Sequence, residues 1–132
     1  MKLLTRDTDY AIRAIAYIAC AREDIVPARE LVRVLKIPRP FLRKIMQKLN
    51  KSGLLKSYRG QGGGFILTVP ADKISLMRLI SIFQGPFRLN ECFFKKEICP
   101  NTAKCNLKRR IDHIEKHIAK ELSAINIGCL LK

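Results

Sequence analysis

A chain of 132 residues is long enough for one compact unit with an attached helix and too short for two full domains. Its 26 Lys and Arg against 11 Asp and Glu give a formal charge of +15, far beyond what solubility needs, and point to a polyanionic partner. No run approaches the roughly 18 apolar residues of a membrane span, and Arg6, Asp7, Asp9 and Arg13 interrupt what would be the apolar segment of a signal peptide. The chain is therefore expected in the cytoplasm, away from membranes, where thiols stay reduced.

The segment Asp9 to Ala21 carries Tyr10, Ile12, Ile15, Tyr17 and Ile18 without Gly or Pro, the pattern of a helix buried on most sides. After a break at EDIVP, Pro27 suits a first helical turn, and Ala28, Leu31, Val32 and Leu35 recur at i, i+3, i+4 and i+7 of a short amphipathic helix. After a second break, KIPRP, a third helix begins at Pro40. It buries Leu42, Ile45, Met46 and Leu49, turns Arg43, Lys44, Gln47, Lys48 and Lys51 outward, and closes at Gly53. Three short helices with a basic outer face on the third predict a helix-turn-helix.

The period then changes. LLKSYRGQGGGFILTVP reads as a Leu54 to Tyr58 strand, a glycine-rich tip from Gly60 to Gly64 and a Phe65 to Val69 strand. A phosphate-cradling loop would have to open onto a helix, and here a strand follows, so the hairpin is read as a wing. Ser75 caps a fourth helix, with Ile74 and Leu79 as a hydrophobic staple and Gly85-Pro86 as the stop. Further on, Leu107, Ile111, Ile114, Ile118, Leu122 and Ile125 form a narrow apolar seam on a helix about 28 Å long at roughly 1.5 Å per residue. Such a seam can pack into its own domain or against a second copy, and Ile111, Ile114, Ile118 and Leu122 are the expected subunit interface of a homodimer.

The expected fold is mainly α with a small β-hairpin. It comprises a winged helix-turn-helix over 1–85, a cysteine-containing loop over 86–106, and a dimerisation helix with a C-terminal tail over 107–132. From Leu31 to Ala71 there is no carboxylate, while nine Lys and Arg fall in that window. A solvated charged face mixes signs, so this one is read as a surface for duplex DNA. Arg39, Arg43, Lys44 and Lys48 are expected at the major groove, and Arg59, Gln61 and Gly62 on the wing. Phe41 lies beside the apolar stripe, as a core residue or a base contact.

The stretch ECFFKKEICPNTAKCNLKRR holds Cys92, Cys99 and Cys105 with six and then five residues between them. This spacing suits a loop wrapped around a cluster better than the close cysteine pairs of structural zinc sites. The alternative is three unligated thiols. Cys20 and Cys129 stand apart and are read as buried free cysteines. Three thiolates leave a fourth ligand open among Asp9, Glu91, His113, His117 and the spare cysteines. Two other classes account for less. A constitutive nucleic-acid binder gives the cysteine segment no purpose, and a cysteine-nucleophile enzyme would have only His113 and His117 as a base, so no catalytic residue is assigned.

MKLLTRDTDYAIRAI, LVRVLKIPRPFLRKIMQKLNKSGLLKSYRGQGGGFIL and the three later cysteines together resemble the Rrf-two family of bacterial winged-helix regulators, of the iron–sulfur type. The likeness covers nearly the whole chain, and RGQGGGF after LNKSGLL is its most diagnostic piece. It implies a homodimeric transcription regulator, a repressor, that binds operator DNA through the third helix and the wing. It also implies a 2Fe–2S or 4Fe–4S cluster that senses redox state, nitric oxide, oxygen or iron–sulfur status. In one branch a histidine follows the last cysteine by three residues; Lys108 stands there in this chain. In the nitric-oxide-sensing branch an N-terminal aspartate from the other subunit completes the site, and TDYAIR aligns Asp9 with it, so the implied ligands are Cys92, Cys99, Cys105 and Asp9.

Overall fold

The computed structural model describes residues 3–21, 24–89 and 106–131. Its first helix, α1 (Arg6–Cys20), starts three residues before Asp9 because Thr5 caps it: the Thr5 Oγ1 accepts from the Thr8 N–H at 3.4 Å, and Asp7 and Asp9 complement the positive helix end. Its buried stripe of Ala11, Ala14, Ile15 and Ile18 is the centre of the molecule. Helix α2 (Ala28–Leu35) ends where Lys36 takes a left-handed φ of 56°, and buried Ile37 then leads into α3 (Arg39–Lys51). Tyr17 of α1 donates to the Glu30 carboxylate of α2 at 2.7 Å, which pushes the Tyr17 hydroxyl above its ordinary pKa. On α3 the predicted stripe of Leu42, Ile45, Met46 and Leu49 is buried, so its intervening cations stand outward.

Strands β1 (Leu55–Tyr58) and β2 (Gly64–Leu67) pair antiparallel, with Leu55 opposite Leu67 and Tyr58 opposite Gly64. Both are shorter than the periodicity suggests. A bridge that short-range pattern does not encode covers the far edge of β2: Val26 N–H donates to Phe65 O at 3.0 Å and Phe65 N–H to Val26 O at 2.9 Å. Gly64 permits that approach, since a Cβ there would lie 2.4 Å from the Val26 carbonyl oxygen, a backbone atom that cannot swing away. Gly64→Ala is expected to pry the wing from the α1–α2 connection and destabilise the domain by about 1–3 kcal/mol. Chemical denaturation checks this, and an unchanged midpoint would show that the bridge contributes nothing.

Helix α4 (Leu76–Gln84) is capped by Ser75, whose Oγ accepts from Arg78 N–H at 3.1 Å, and it stops at Gly85, as its residues predict. Helix α5 (Asn106–Ala124) follows, and then α6 (Ile127–Leu130). The apolar seam was expected to run through Ile125 in one helix; instead the helix ends at Ala124, because the Asn126 side chain caps α6 by accepting from Cys129 N–H at 2.9 Å. Two backbone bonds hold the junction, Leu76 N–H to Ile125 O at 2.8 Å and Ile127 N–H to Ile74 O at 2.9 Å. Residues of α1, α2, α3, the hairpin and α6 share the main core, while Leu76, Ile80 and Leu122 form a second cluster between α4 and α5. Cys20 and Cys129, expected to be buried, are both exposed: they sit at or near helix ends, where the apolar face of the helix no longer covers them.

Candidate nucleic-acid interface and metal centre

Arg39, Arg43, Lys44 and Lys48 are all exposed on α3, held outward by the four buried residues between them. Arg59, Gln61 and Gly62 are exposed at the wing tip, where Gly62 has a φ of 77° that other residues rarely adopt. The end of α3 and the base of the wing are fastened together. Arg78 donates to the Ser52 carbonyl at 3.2 Å, and the Thr68 hydroxyl donates to the Gly53 carbonyl. Thr68 thereby ties the end of β2 to the turn after α3, and Arg78 ties α4 to the end of α3. Among the described residues, neither α3 nor the hairpin carries an ion pair.

Two aromatic contacts change how individual residues are read. The Lys48 ammonium lies 5.6 Å from the Phe83 ring centroid, tying α3 to α4. Phe41 is half-buried against the main core, and the Arg6 guanidinium of α1 stands 4.3 Å above its ring. Nothing in local periodicity marks either pair, because each joins elements far apart in sequence.

Of the four implied cluster ligands, Asp9 alone lies among the described residues; Cys92, Cys99 and Cys105, like Glu91, fall outside them. The Asp9 carboxylate is 44% exposed and pairs with Arg13 Nε at 3.2 Å, one helical turn on. Beside it, Gln84 at the end of α4 accepts from Thr5 N–H at 2.9 Å and from the Thr8 hydroxyl at 2.7 Å, and donates to the Leu3 carbonyl at 3.2 Å. This network satisfies Thr8, which is fully buried, and fixes the first turn of α1 against α4. His113 and His117 are exposed on α5, and Glu115 between them accepts from the Leu89 N–H at 2.8 Å, the last described residue before the cysteine segment. Among the described residues, no group of three or more His, Cys, Asp or Glu is arranged to hold a metal ion.

The apolar seam of α5 divides. Leu122 is 6% exposed and packs in its own protomer against Leu76 and Ile80, with Ile118 half-buried beside it, whereas Leu107 and Ile114 are 69% and 47% exposed. The face left open is the N-terminal half, around Leu107, Ile111 and Ile114.

The winged order of these elements has a counterpart among known proteins. The profile of the Rrf2 family, described as iron-dependent transcriptional regulator, matches residues 4–132. The chain belongs to the Rrf2 family. It is similar to the regulator NsrR of Oceanobacillus iheyensis, 30% identical over 131 residues that span 98% of this chain and 89% of that one. It is also 32% identical to protein aau3 of Rhizobium meliloti over 130 residues, 98% and 84% of the two chains. A relative from Aquifex aeolicus is 38% identical over 94 residues, which cover 71% of this chain and 65% of its own length. Among solved structures, CymR, the global cysteine regulator of B. subtilis, superposes with a TM-score of 0.79 at 22% identity over 99% and 97% of the chains. IscR of T. potens does so at 0.73 and 20% identity over 99% and 86%. At those identities the two structures establish the winged-helix fold of an Rrf2 protein. As a member of that family the protein is a DNA-binding transcription regulator, and no helix among its described residues is long and apolar enough to cross a membrane.

Proposed function

We propose that this Rrf2 protein is a cytoplasmic homodimeric repressor whose grip on operator DNA is set by an iron–sulfur cluster. The observation that carries the DNA reading is the exposed cationic surface of α3, without an ion pair among the described residues, beside a hairpin with an exposed tip. Arg39, Arg43 and Lys44 read the major groove with Lys48 behind them, and Arg59, Gln61 and Gly62 address the adjacent groove. Arg59→Ala is expected to reduce operator affinity by about 1–3 kcal/mol. Equal binding by the variant, measured by fluorescence anisotropy, would remove the wing from the reading surface.

The cluster reading rests on the donor set. Three thiols in one short segment are soft ligands of the kind iron–sulfur centres use, and Asp9 has a carboxylate at the surface that pairs, among the described residues, with an exposed arginine. An exposed pair of that kind contributes about 0–1 kcal/mol, so Asp9 can exchange it for a metal at little loss. Cys92, Cys99 and Cys105 of one protomer and Asp9 of the partner subunit would hold the cluster. When bound, it would supply an iron with a weak oxygen ligand, open to oxygen or nitric oxide, and the alignment of Asp9 in TDYAIR with the aspartate of the nitric-oxide-sensing branch favours nitric oxide or redox state as the signal. The same residues in a cluster-free regulator would leave anaerobically purified protein colourless. Absorption spectroscopy and iron analysis on that preparation separate the two.

A further inference from the structure

We infer that Arg6 of α1 is a backbone-phosphate contact flanking the recognition helix, with Phe41 as its platform. Arg6 is exposed, and its guanidinium carbon lies 4.3 Å above the Phe41 ring centroid, the separation of a face-on cation–π stack. Stacking uses the flat face of the guanidinium and leaves its in-plane N–H donors free. Among the described residues none of those donors has a carboxylate partner: the ion pairs are Arg13 with Asp9 and Lys108 with Asp112. An arginine held over an aromatic ring, with no carboxylate on its donors among the described residues, is prepared for an external anionic acceptor.

The surroundings identify that acceptor as an anion. Phe41 lies between Arg39 and Arg43 in sequence on α3, so Arg6 brings another cation to the end of the helix where Arg39, Arg43 and Lys44 already cluster. The α3 cations have no carboxylate among them in sequence, and like charges so gathered repel one another and are relieved when a polyanion is bound. Phe41 itself is half-buried against the main core, so the stack is seated at the root of α3 rather than along its outer face. A cation there meets the strand backbone beside the groove, while the outer face meets base edges. Phe41 then acts on DNA through Arg6, which resolves its double reading as core residue or base contact. Because Arg6 comes from the first turn of α1, three residues from Asp9, it gives that turn its own hold on DNA.

The inference rests on duplex binding by α3 and the wing, and one experiment separates the two. Full-length protein is titrated against a duplex recovered by selection from a random-sequence pool, and against a scrambled duplex of equal length, over a series of salt concentrations. Arg6→Ala is expected to weaken both complexes on the order of tenfold, to leave their ratio unchanged, and to lower the slope of log affinity against log salt by about 0.9 per protomer. Phe41→Leu keeps the charge and an apolar core contact; it should weaken binding less, with the slope retained, and Phe41→Tyr should bind as wild type does. If wild type binds with a steep salt slope and Arg6→Ala keeps that slope, the phosphate contact is refuted. A variant that loses only the preference for the selected duplex would make Arg6 a base reader and refute it too. Absence of duplex binding by wild type would overturn both this inference and the interface it rests on.

Discussion

Ile114→Glu is expected to yield a folded monomer that binds operator about 100- to 10,000-fold more weakly than the parent, the range over which joining two modules raises avidity. Ile114 is 47% exposed within its own protomer, so a carboxylate there stays in water and leaves the domain intact. In a dimer packed along α5 the same carboxylate would be buried opposite apolar side chains, and an unpaired charge in that setting costs far more than the contact it replaces. Without the interface, two recognition helices are no longer held at the spacing of two half-sites. Leu122→Glu is the instructive contrast. Leu122 is packed against Leu76 and Ile80, so a charge there should unfold the second cluster instead of dissociating a dimer. Light scattering with circular dichroism distinguishes these outcomes. An intact Ile114→Glu dimer would move the interface off this helix.

Cys99→Ala is expected to purify without iron and to bind operator as the cluster-free protein does, whereas Asp9→Ala should hold iron weakly or with an altered spectrum. Thiolate is the stronger ligand for iron, so with the proposed ligands the loss of one of three would remove the centre, while loss of the carboxylate would open one corner of it. Asp9→Ala gives up an exposed ion pair of small worth and should fold normally. His113→Ala, on an exposed site, should match wild type in iron content, absorption and operator affinity. Loaded and cluster-free wild type should differ in operator affinity by about 5- to 150-fold, the usual size of coupling between two sites, with the loaded form the tighter. Anaerobic reconstitution of the three variants side by side decides the ligand. A wild-type result for Asp9→Ala beside a failing His113→Ala would reassign it, and equal DNA binding by loaded and cluster-free protein would remove the switch.

Much of the fold is legible wherever one short segment settles its own structure. The spacing of Leu42, Ile45, Met46 and Leu49 marks the buried side of α3 and so its cationic side, and Ser75 and Gly85 punctuate α4 as their chemistry requires. What resists reading comes from partners distant in the chain. Val26 and Phe65 close the sheet edge across the α1–α2 connection, and Arg6 finds Phe41 on another helix. The seam of α5 looked continuous because apolar spacing persists through Ile125. Asn126 ends the helix there, and α4 claims the seam's C-terminal half. The exposed cationic side of α3 was legible for the first kind of reason. Gln84 and Glu115 were invisible for the second, since an isolated polar residue in a helix shows nothing of what it will meet.

The backbone stitch of Ile125 and Ile127 to the start of α4 has a mechanical meaning. A helix stitched at its C-terminal end resists sliding along its neighbour, and a small tilt of it pivots about that stitch. Helix α5 is about 28 Å long at roughly 1.5 Å per residue, so a tilt of ~5° displaces its opposite end by ~2.5 Å and its anchored end hardly at all. The opposite end is Asn106, bonded directly to Cys105, and the exposed Leu107 and Ile114 lie in that same half. Whatever tightens or slackens the chain before Asn106 thus acts on the end of α5 with the greatest travel, and in a dimer joined there the pinned ends carry that rotation into the distance between the two reading heads.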